Sequence, residues 1–171
     1  MNDNGSPRKA QSESHEDSLI DKAGQYLTFS LGDDEYGVEI LRVQEFVGLT
    51  PVKRIPGTPA YIRGLVSLRG QNIPVIELRR LFSLDSHEDT ERTSIIVIHG
   101  SWKSKKVVVG LLVDEVREVA QITEEQIEPP PPTESTSETS FIMATAQIDS
   151  EMVALLDPDK LFESKDLSSV V

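Results

Sequence analysis

The sequence predicts an all-β fold built from two small five-stranded barrels that pack together, with short helical segments and a C-terminal helix. Short runs of alternating apolar residues, separated by Gly, Pro, Asn and Asp, recur through most of the 171 residues. The runs fall into two similar series of about 60–70 residues, and a unit of that size is marginally stable by itself. Closure into a barrel removes the free edges of short antiparallel strands, and packing two barrels together supplies a larger core.

The first barrel is predicted at about residues 25–82. Its first strand shows the clearest alternation, because the apolar residues of 26–31 are separated by residues that tolerate water. A Gly-Asp-Asp turn follows, and further extended runs cover residues 35–40 and 43–49. A proline-rich connector leads into a hairpin, after which residues 78–82 are predicted as a short helical cap.

The hairpin at residues 61–79 lies at the centre of this barrel. Apolar residues flank a turn that begins at Arg69, in which Gly70 and Asn72 can adopt positive φ at little cost. Pro74 cannot donate a ladder hydrogen bond, so its strand is expected at an edge or a bend. Arg69 is held beside the turn, where it is either a solvated turn residue or a contact for a partner.

The second barrel is predicted at about residues 93–156. Its strands are expected at residues 94–99, 107–113, 116–122, 141–148 and 152–156. Asp157 and Pro158 supply an N-cap and a first helical position for a helix at residues 157–163.

Three other segments are expected outside the strands. Residues 1–24 lack apolar periodicity and are predicted as a disordered tail, and residues 164–171 as a C-terminal tail. The four prolines that begin at Pro129 and the polar run after them predict a surface loop that ends at Ser140. Trp102 is expected on a hairpin loop with its ring partly exposed.

An internal repeat connects the two series. Residues 36–46 align with residues 109–119, and residues 73–82 align with residues 153–162, where both segments end in Leu-Phe. Either match alone could arise by chance in β-rich sequence. Two matches in the same order predict two copies of one five-stranded unit.

Composition excludes several classes of function. The chain contains no cysteine, which excludes disulfides, thiolate catalysis and Cys-zinc sites. Its net charge of -12 repels phosphate backbones, so nucleic acid is not an expected partner. No apolar run approaches the roughly 18 residues that span a bilayer, so we expect a cytoplasmic protein without membrane insertion.

The charge is unevenly distributed along the chain. Residues 26–82 hold seven Lys/Arg and six Asp/Glu, whereas residues 83–171 hold seven Lys/Arg and eighteen Asp/Glu. This asymmetry predicts surfaces of different electrostatic character, suited to different protein partners.

The chain lacks the residue patterns of common active sites. It contains no phosphate-binding Gly-x-x-x-x-Gly-Lys-Ser/Thr, no Gly-x-Ser-x-Gly and no His-Glu-x-x-His. Residues 85–89 include ligand-type side chains, but a metal site needs three or four held in fixed geometry. Glu124, Glu125 and Glu128 fit a solvated helical turn as well as a catalytic carboxylate pair. We expect no enzyme activity, no metal and no cofactor.

Several motifs together resemble the CheW family, the coupling proteins of bacterial chemotaxis. The resemblance covers about residues 25–163 and is carried by residues 25–45, 58–64, 68–79, 113–116 and 127–130. It implies two intertwined SH3-like five-stranded barrels without catalysis. It also implies a protein that links methyl-accepting chemoreceptors to the histidine kinase CheA. The regulatory domain of the kinase would pair barrel to barrel with it, and the receptor's helical tip would dock in the groove between barrels.

The resemblance also implies which residues meet these partners. By position they are Val43, Glu45, Arg63, Gly64, Leu68, Arg69 and Gly70. Val43 would supply an apolar contact to a receptor helix. Glu45 and Arg69 would either contact charges of a partner or brace each other across the groove. Gly64 and Gly70 also fit a purely structural role, because turns need glycine.

Three functions remain open from the sequence. The first is an adaptor between chemoreceptors and a CheA-type kinase, located in the cytoplasm and recruited to membrane-associated receptor arrays. The second is a coupling protein of a chemotaxis-like pathway that controls pili, development or second-messenger synthesis. The third is a barrel pair that binds a small molecule in the groove.

Overall fold

The computed structural model describes residues 22–85, 88–130 and 141–171. The strands found within these ranges are β1 (Gly24–Leu31), β2 (Asp34–Glu39), β3 (Val43–Gly48), β4 (Ile62–Leu68), β5 (Gln71–Glu77), β6 (Ser94–Trp102), β7 (Lys105–Val113), β8 (Glu115–Ile122), β9 (Ile127–Glu128), β10 (Ile142–Ile148) and β11 (Glu151–Leu156). Two short helices follow strands, α1 (Leu78–Leu81) and α2 (Pro158–Glu163). The predicted all-β class with short helical segments and a C-terminal helix is confirmed.

The strands form two curled sheets. Sheet I has six strands in the order β8-β1-β2-β11-β10-β9, and sheet II has five in the order β3-β6-β7-β5-β4. Most neighbours are antiparallel, but β2 lies parallel to β11 and β5 lies parallel to β7.

Each sheet combines strands from both repeats of the sequence. The hairpin β1–β2 pairs with strands of the second repeat, and the hairpin β6–β7 pairs with strands of the first. The first hairpin of each repeat is therefore exchanged. For this reason the predicted boundaries, a first barrel at about 25–82 and a second at about 93–156, do not coincide with the two sheets. Alternation defines a strand and its faces, but it does not specify which copy of a repeat that strand joins.

The register of the parallel strands confirms the internal repeat. Gly37 lies opposite Leu155 where β2 meets β11, and Gly110 lies opposite Val75 where β7 meets β5. The alignment of the two repeats equates these two pairs. A Cβ atom at Gly37 would lie 3.2 Å from the Leu155 side chain, and one at Gly110 would lie 2.7 Å from the Ile95 side chain. Glycine is required at both positions because neighbouring side chains pack directly over its backbone.

The buried apolar residues form three clusters. One lies inside sheet I and includes Tyr26, Val153 and Leu155, and a second lies inside sheet II and includes Val75 and Val97. The third takes residues from both sheets: Leu27, Phe29, Ile96, Ile98, Leu111, Phe141, Leu156 and Phe162 are among them. The two sheets are therefore joined by a shared core, which we call the inter-sheet core.

The C-terminal residues belong to this core. Leu167 is completely buried in it, although residues 164–171 were predicted as a tail. Trp102 is only 6% exposed, and its indole N–H donates to the Lys165 carbonyl over 3.1 Å. The predicted exposure of Trp102 is therefore wrong, because residues far along the chain cover the end of β6.

Some predicted segments lie outside the described residues. These are residues 1–21 of the N-terminal tail, residues 131–140 of the proline-led loop, and Ser86 and His87 in the charged loop. Among the helices of the described ranges, none combines the length and the apolar character needed to cross a membrane.

Candidate partner-binding site

Edge strand β3 carries two of the predicted site residues, Val43 and Glu45. Its register against β6 shifts at this point, because Val43 lies opposite Ile98 whereas Glu45 lies opposite Val97. Directly opposite residues of an antiparallel pair share a face of the sheet. The bulge therefore places Val43 on the side of the inter-sheet core and Glu45 on the inner side of sheet II.

Two apolar side chains next to these residues are exposed. Leu41, in the 3-10 turn Ile40–Arg42, is 82% exposed, and Phe46 is 51% exposed. Val43 is half-buried against the inter-sheet core. Neither Leu41 nor Phe46 was predicted as a site residue. The alternation along β3 indicates that Phe46 points outward, because Phe46 falls between Glu45 and Val47, whose side chains point inward.

The turn between β4 and β5 presents Arg69 and Gly70. Leu68 pairs with Gln71, so the turn contains only two residues, and both have positive φ: 51° at Arg69 and 79° at Gly70. The predicted positive φ at Asn72 is wrong, since Asn72 already lies in the ladder. Positive φ at both central residues is the usual geometry of a two-residue hairpin turn, and it recurs at Lys103–Ser104 and Asp149–Ser150.

Arg69 and Glu45 form an ion pair between the two edges of sheet II. The Nε atom of Arg69 lies 3.0 Å from Oε2 of Glu45, and its Nη2 atom lies 3.4 Å from Oε1. The Arg69 side chain is 79% exposed and that of Glu45 is 20% exposed. The two side chains therefore contact each other within sheet II, and a role in partner binding stays a prediction. A guanidinium has five N–H donors, so the pair leaves Arg69 with further donors for a second acceptor.

Gly64 is fixed by packing within the chain. Its φ is +148°, and a Cβ atom there would lie 2.1 Å from the Lys53 carbonyl oxygen. Lys53 and Leu65 exchange two backbone hydrogen bonds at this point, of 2.7 Å and 2.8 Å. The connector before β4 thus pairs with β4 across Gly64, which gives this glycine a structural role.

Arg63, Leu68 and Gly70 occupy different surroundings. Arg63, at the other end of β4 from the turn, contacts Glu77 over 2.5 Å and also pairs with Asp89. Leu68 packs against the core of sheet II, and Gly70 is exposed in the turn. The structure therefore brings Glu45, Arg69 and Gly70 together, with Val43 nearby on β3, and places Arg63 elsewhere.

A second ion pair fixes the start of β3. Arg42 donates from both Nη atoms to the Asp159 carboxylate, at 2.9 Å each, and Asp159 also accepts from the Ser101 backbone N–H over 2.8 Å. These hydrogen bonds, that of Arg42 first, lower the pKa of Asp159 below its ordinary value. The 3-10 turn that presents Leu41 is thereby attached to α2.

Two further features of the described residues bear on ligand binding. Within them, no group of three or more His, Asp or Glu residues is placed to hold a metal ion. A hollow of about 340 Å³ next to Arg63 is lined by arginines and carboxylates that pair with each other, including Glu77, Arg79 and Asp114. Ligand pockets are usually apolar with few polar groups, so this hollow does not resemble one.

Comparisons with known proteins connect the chain to one protein family. A family model described as a CheW-like domain matches residues 25–166. Chemotaxis protein CheW of Klebsiella aerogenes is 37% identical over 146 residues, which cover 85% of this chain and 86% of that protein. Chemotaxis protein CheW of Rhizobium meliloti is 34% identical over 148 residues, with coverage of 86% and 93%.

A solved structure shares the architecture. The crystal structure of scaffolding protein TtCheW from Thermoanaerobacter tengcongensis superimposes with a TM-score of 0.74 and is 35% identical in sequence. The match covers 85% of this chain and 97% of that chain.

Proposed function

Because the chain belongs to the CheW-like family, we propose that it is a non-catalytic adaptor of bacterial chemotaxis. It couples the cytoplasmic tip of methyl-accepting chemoreceptors to a CheA-type histidine kinase, and it acts in the cytoplasm at receptor arrays. Relatives named chemotaxis protein CheW and a scaffolding protein of the same architecture support this proposal. One structural observation carries it further, namely the surface formed at the edge strand β3.

We define the β3 surface as Leu41, Val43, Glu45, Phe46 and Arg69. It combines two exposed apolar side chains with an ion pair whose arginine is largely open to solvent. An amphipathic helix binds such a surface by placing apolar residues on it and polar residues around it. Buried aromatic and arginine contacts usually provide most of the binding free energy of an interface. The helical tip of a chemoreceptor has the required chemistry.

The adaptor mechanism is geometric. It requires two partners to be held at a set distance and orientation, and the shared inter-sheet core makes the two sheets a stiff spacer. Interfaces at or below the standard size of about 1,600 Å² suffice, because many weak contacts act together in an array.

Charge reversal at Arg69 tests this assignment. We expect Arg69→Glu to weaken binding to receptor-containing membranes, in co-sedimentation with and without kinase, by about 2–5 kcal/mol. Arg92→Glu is the matched control, since Arg92 is also a largely exposed arginine in an ion pair. Undiminished binding of Arg69→Glu to both receptor and kinase would refute the role of the β3 surface charge.

The double variant Glu45→Arg/Arg69→Glu exchanges the two charges. It distinguishes an ion pair that only holds the sheet edges together from direct contact of Arg69 with a partner. If the ion pair only braces the sheet edges, the double variant regains binding because it restores an attractive pair. If Arg69 contacts a carboxylate of the partner, the double variant stays as weak as Arg69→Glu. Either result assigns Arg69 a role, whereas wild-type binding by both Arg69→Glu and the double variant contradicts both.

Truncation of Phe46 tests the apolar part of the β3 surface. We expect Phe46→Ala to weaken receptor binding by more than about 1 kcal/mol, as for a central aromatic contact. Met152→Ala is the control, because Met152 is 57% exposed and lies outside the β3 surface. Equal losses of receptor binding in the two variants would show that Phe46 contributes no more than an exposed apolar residue outside the β3 surface.

A further inference from the structure

Sheet II contains a wedge-shaped groove where its parallel strands diverge. The ladder between β5 and β7 begins with Val75 opposite Gly110. In sheet I the equivalent ladder begins two residues earlier, with Val153 opposite Glu35. The repeat alignment equates Val153 and Glu35 with Ile73 and Val108, and these two residues are not paired in sheet II. The strands of sheet II are thus open over a segment that is closed in sheet I.

The groove has an apolar floor and a cationic rim. Its volume is about 480 Å³. Ile73 and Val107 are 2% and 6% exposed at its base, whereas Lys105 and Lys106 are exposed at its edge. The C-terminal Val170 and Val171 flank one side. This combination suits a segment with small apolar side chains and negative charges.

The charge of the rim contrasts with that of the molecule. The chain as a whole carries -12, yet Lys105 and Lys106, at the start of β7, both line this groove. Among the described residues neither Lys105 nor Lys106 has a carboxylate within ion-pair distance. A local cationic rim on an acidic protein favours an acidic partner.

The backbone of β7 supplies the hydrogen-bonding groups that such a segment needs. At residues 105–108, β7 pairs with β6 on one side. Within the part of the chain that the structure describes, no strand pairs with its other side there, because the β5 ladder begins only at Gly110. Alternate N–H and C=O groups there point into the groove. An extended peptide adds to an open strand edge through these groups, and its alternate side chains enter the adjoining pockets.

We propose that this groove binds an extended acidic segment of a partner protein, which adds as a short strand along the first half of β7. Apolar side chains of the segment lie over Ile73 and Val107, and its carboxylates pair with Lys105 and Lys106. The groove does not include any residue of the β3 surface. Peptide binding in this groove is therefore a function beyond the adaptor role and can be tested separately from it.

A pair of synthetic peptides tests the groove with the full-length protein. The probe is a fluorescein-labelled octapeptide of alternating valine and glutamate, and the control peptide has lysine in place of every glutamate. We expect anisotropy titrations to show saturable binding of the acidic peptide, weakened by added salt, and none of the basic peptide. In amide NMR spectra the acidic peptide should shift the signals of Val107 and Val108.

Matched variants locate the binding. Lys105→Glu/Lys106→Glu should weaken binding of the acidic peptide by about tenfold or more. Arg54→Glu/Lys160→Glu changes the net charge equally at exposed cations outside the groove and should leave it unchanged. Equal weakening by both double variants, binding of the basic peptide, or no binding at all would overturn the proposal. Receptor and kinase binding by Lys105→Glu/Lys106→Glu, measured in parallel, reports on the adaptor function independently.

Discussion

Gly64 and Arg69 lie on the same hairpin but are held by different forces. The conformation of Gly64 is dictated by the Lys53 carbonyl, which occupies the space of a Cβ atom. That of Arg69 belongs to a two-residue turn with open space around Gly70. A substitution at Gly64 should therefore act through folding, and one at Arg69 through the surface.

Gly64→Ala tests this distinction. We expect it to lower the free energy of unfolding by roughly 2–4 kcal/mol, because the new Cβ would force apart the two Lys53–Leu65 hydrogen bonds. Urea unfolding followed by circular dichroism measures the loss. Gly48→Ala is the control and should change stability by less than about 0.5 kcal/mol, since nothing lies within 4 Å of its Cβ position. A stable Gly64→Ala protein that no longer binds a partner would instead make Gly64 a direct contact.

At this scale the family resemblance, and not the residue pattern, supplied most of the predicted site residues. It implied Glu45 and Arg69 by position, whereas the turn pattern alone left Arg69 open between a solvated residue and a contact for a partner. Leu41 and Phe46 were not predicted. The alternation of β3 indicates that Phe46 points outward, whereas Leu41 lies in a 3-10 turn outside any alternating pattern. A bulge at Gln44 decides which face Val43 and Glu45 occupy, and bulges leave little trace in sequence.

Among the elements, α2 connects the sheets to the β3 surface. Its N-terminus is capped by the Asp157 side chain, which accepts from the backbone N–H groups of Asp159 and Lys160. Asp159 binds Arg42, and Phe162 packs against Gly100 of β6, where a Cβ would lie 2.7 Å from the Phe162 ring. The helix was predicted from Asp157 and Pro158, whereas its contact with Arg42 depends on residues far apart in the chain.

The Arg42–Asp159 pair predicts a pH-dependent stability. The pKa of Asp159 is lowered from its ordinary 3.8, so the folded state binds fewer protons than the unfolded state as pH falls through this range. The stability that the Arg42–Asp159 pair contributes is thus complete above about pH 5. It is lost as pH falls below 3.8 toward the folded-state pKa of Asp159. We expect Asp159→Asn to cost about 1 kcal/mol at pH 7, because the pair is partly exposed.

Urea unfolding of the wild type and Asp159→Asn at several pH values measures this effect. The difference between the two proteins should be constant from pH 7 to about pH 5 and should shrink toward pH 3. Taking the difference removes the contributions of other carboxylates, and the asparagine still accepts from the Ser101 N–H. A difference that persists unchanged at pH 3 would show that the charge of Asp159 does not matter.

For the whole molecule, the exchange of hairpins is the decisive feature. The sequence predicts the repeat and the strands, since both are local patterns. The exchange itself was implied only by the family resemblance, because β1 and β6 each have the residues of a barrel strand and could pair within their own repeat. Long-range packing decides between these pairings. In the exchanged arrangement, Leu27 of β1 and Ile96 of β6 pack in one cluster, the inter-sheet core.

The shared inter-sheet core predicts that the two sheets unfold together. Trp102, the only tryptophan, lies at the end of β6 in sheet II, so its fluorescence reports on that sheet directly. The two sheets share the inter-sheet core, so loss of either sheet would expose buried apolar residues of the other. We therefore expect one urea transition, with coincident midpoints by Trp102 fluorescence and far-ultraviolet circular dichroism.

A substitution inside sheet I makes the test sharper. Val153 is fully buried in the core of that sheet and belongs to a different cluster from Trp102. Val153→Ala should lower the midpoint reported by Trp102 as much as the midpoint reported by circular dichroism, with a loss of roughly 1–3 kcal/mol. Ile73→Ala is the matched change in sheet II. A Trp102 transition that responds to Ile73→Ala and ignores Val153→Ala would mean that the sheets unfold independently, as barrels formed within single repeats would.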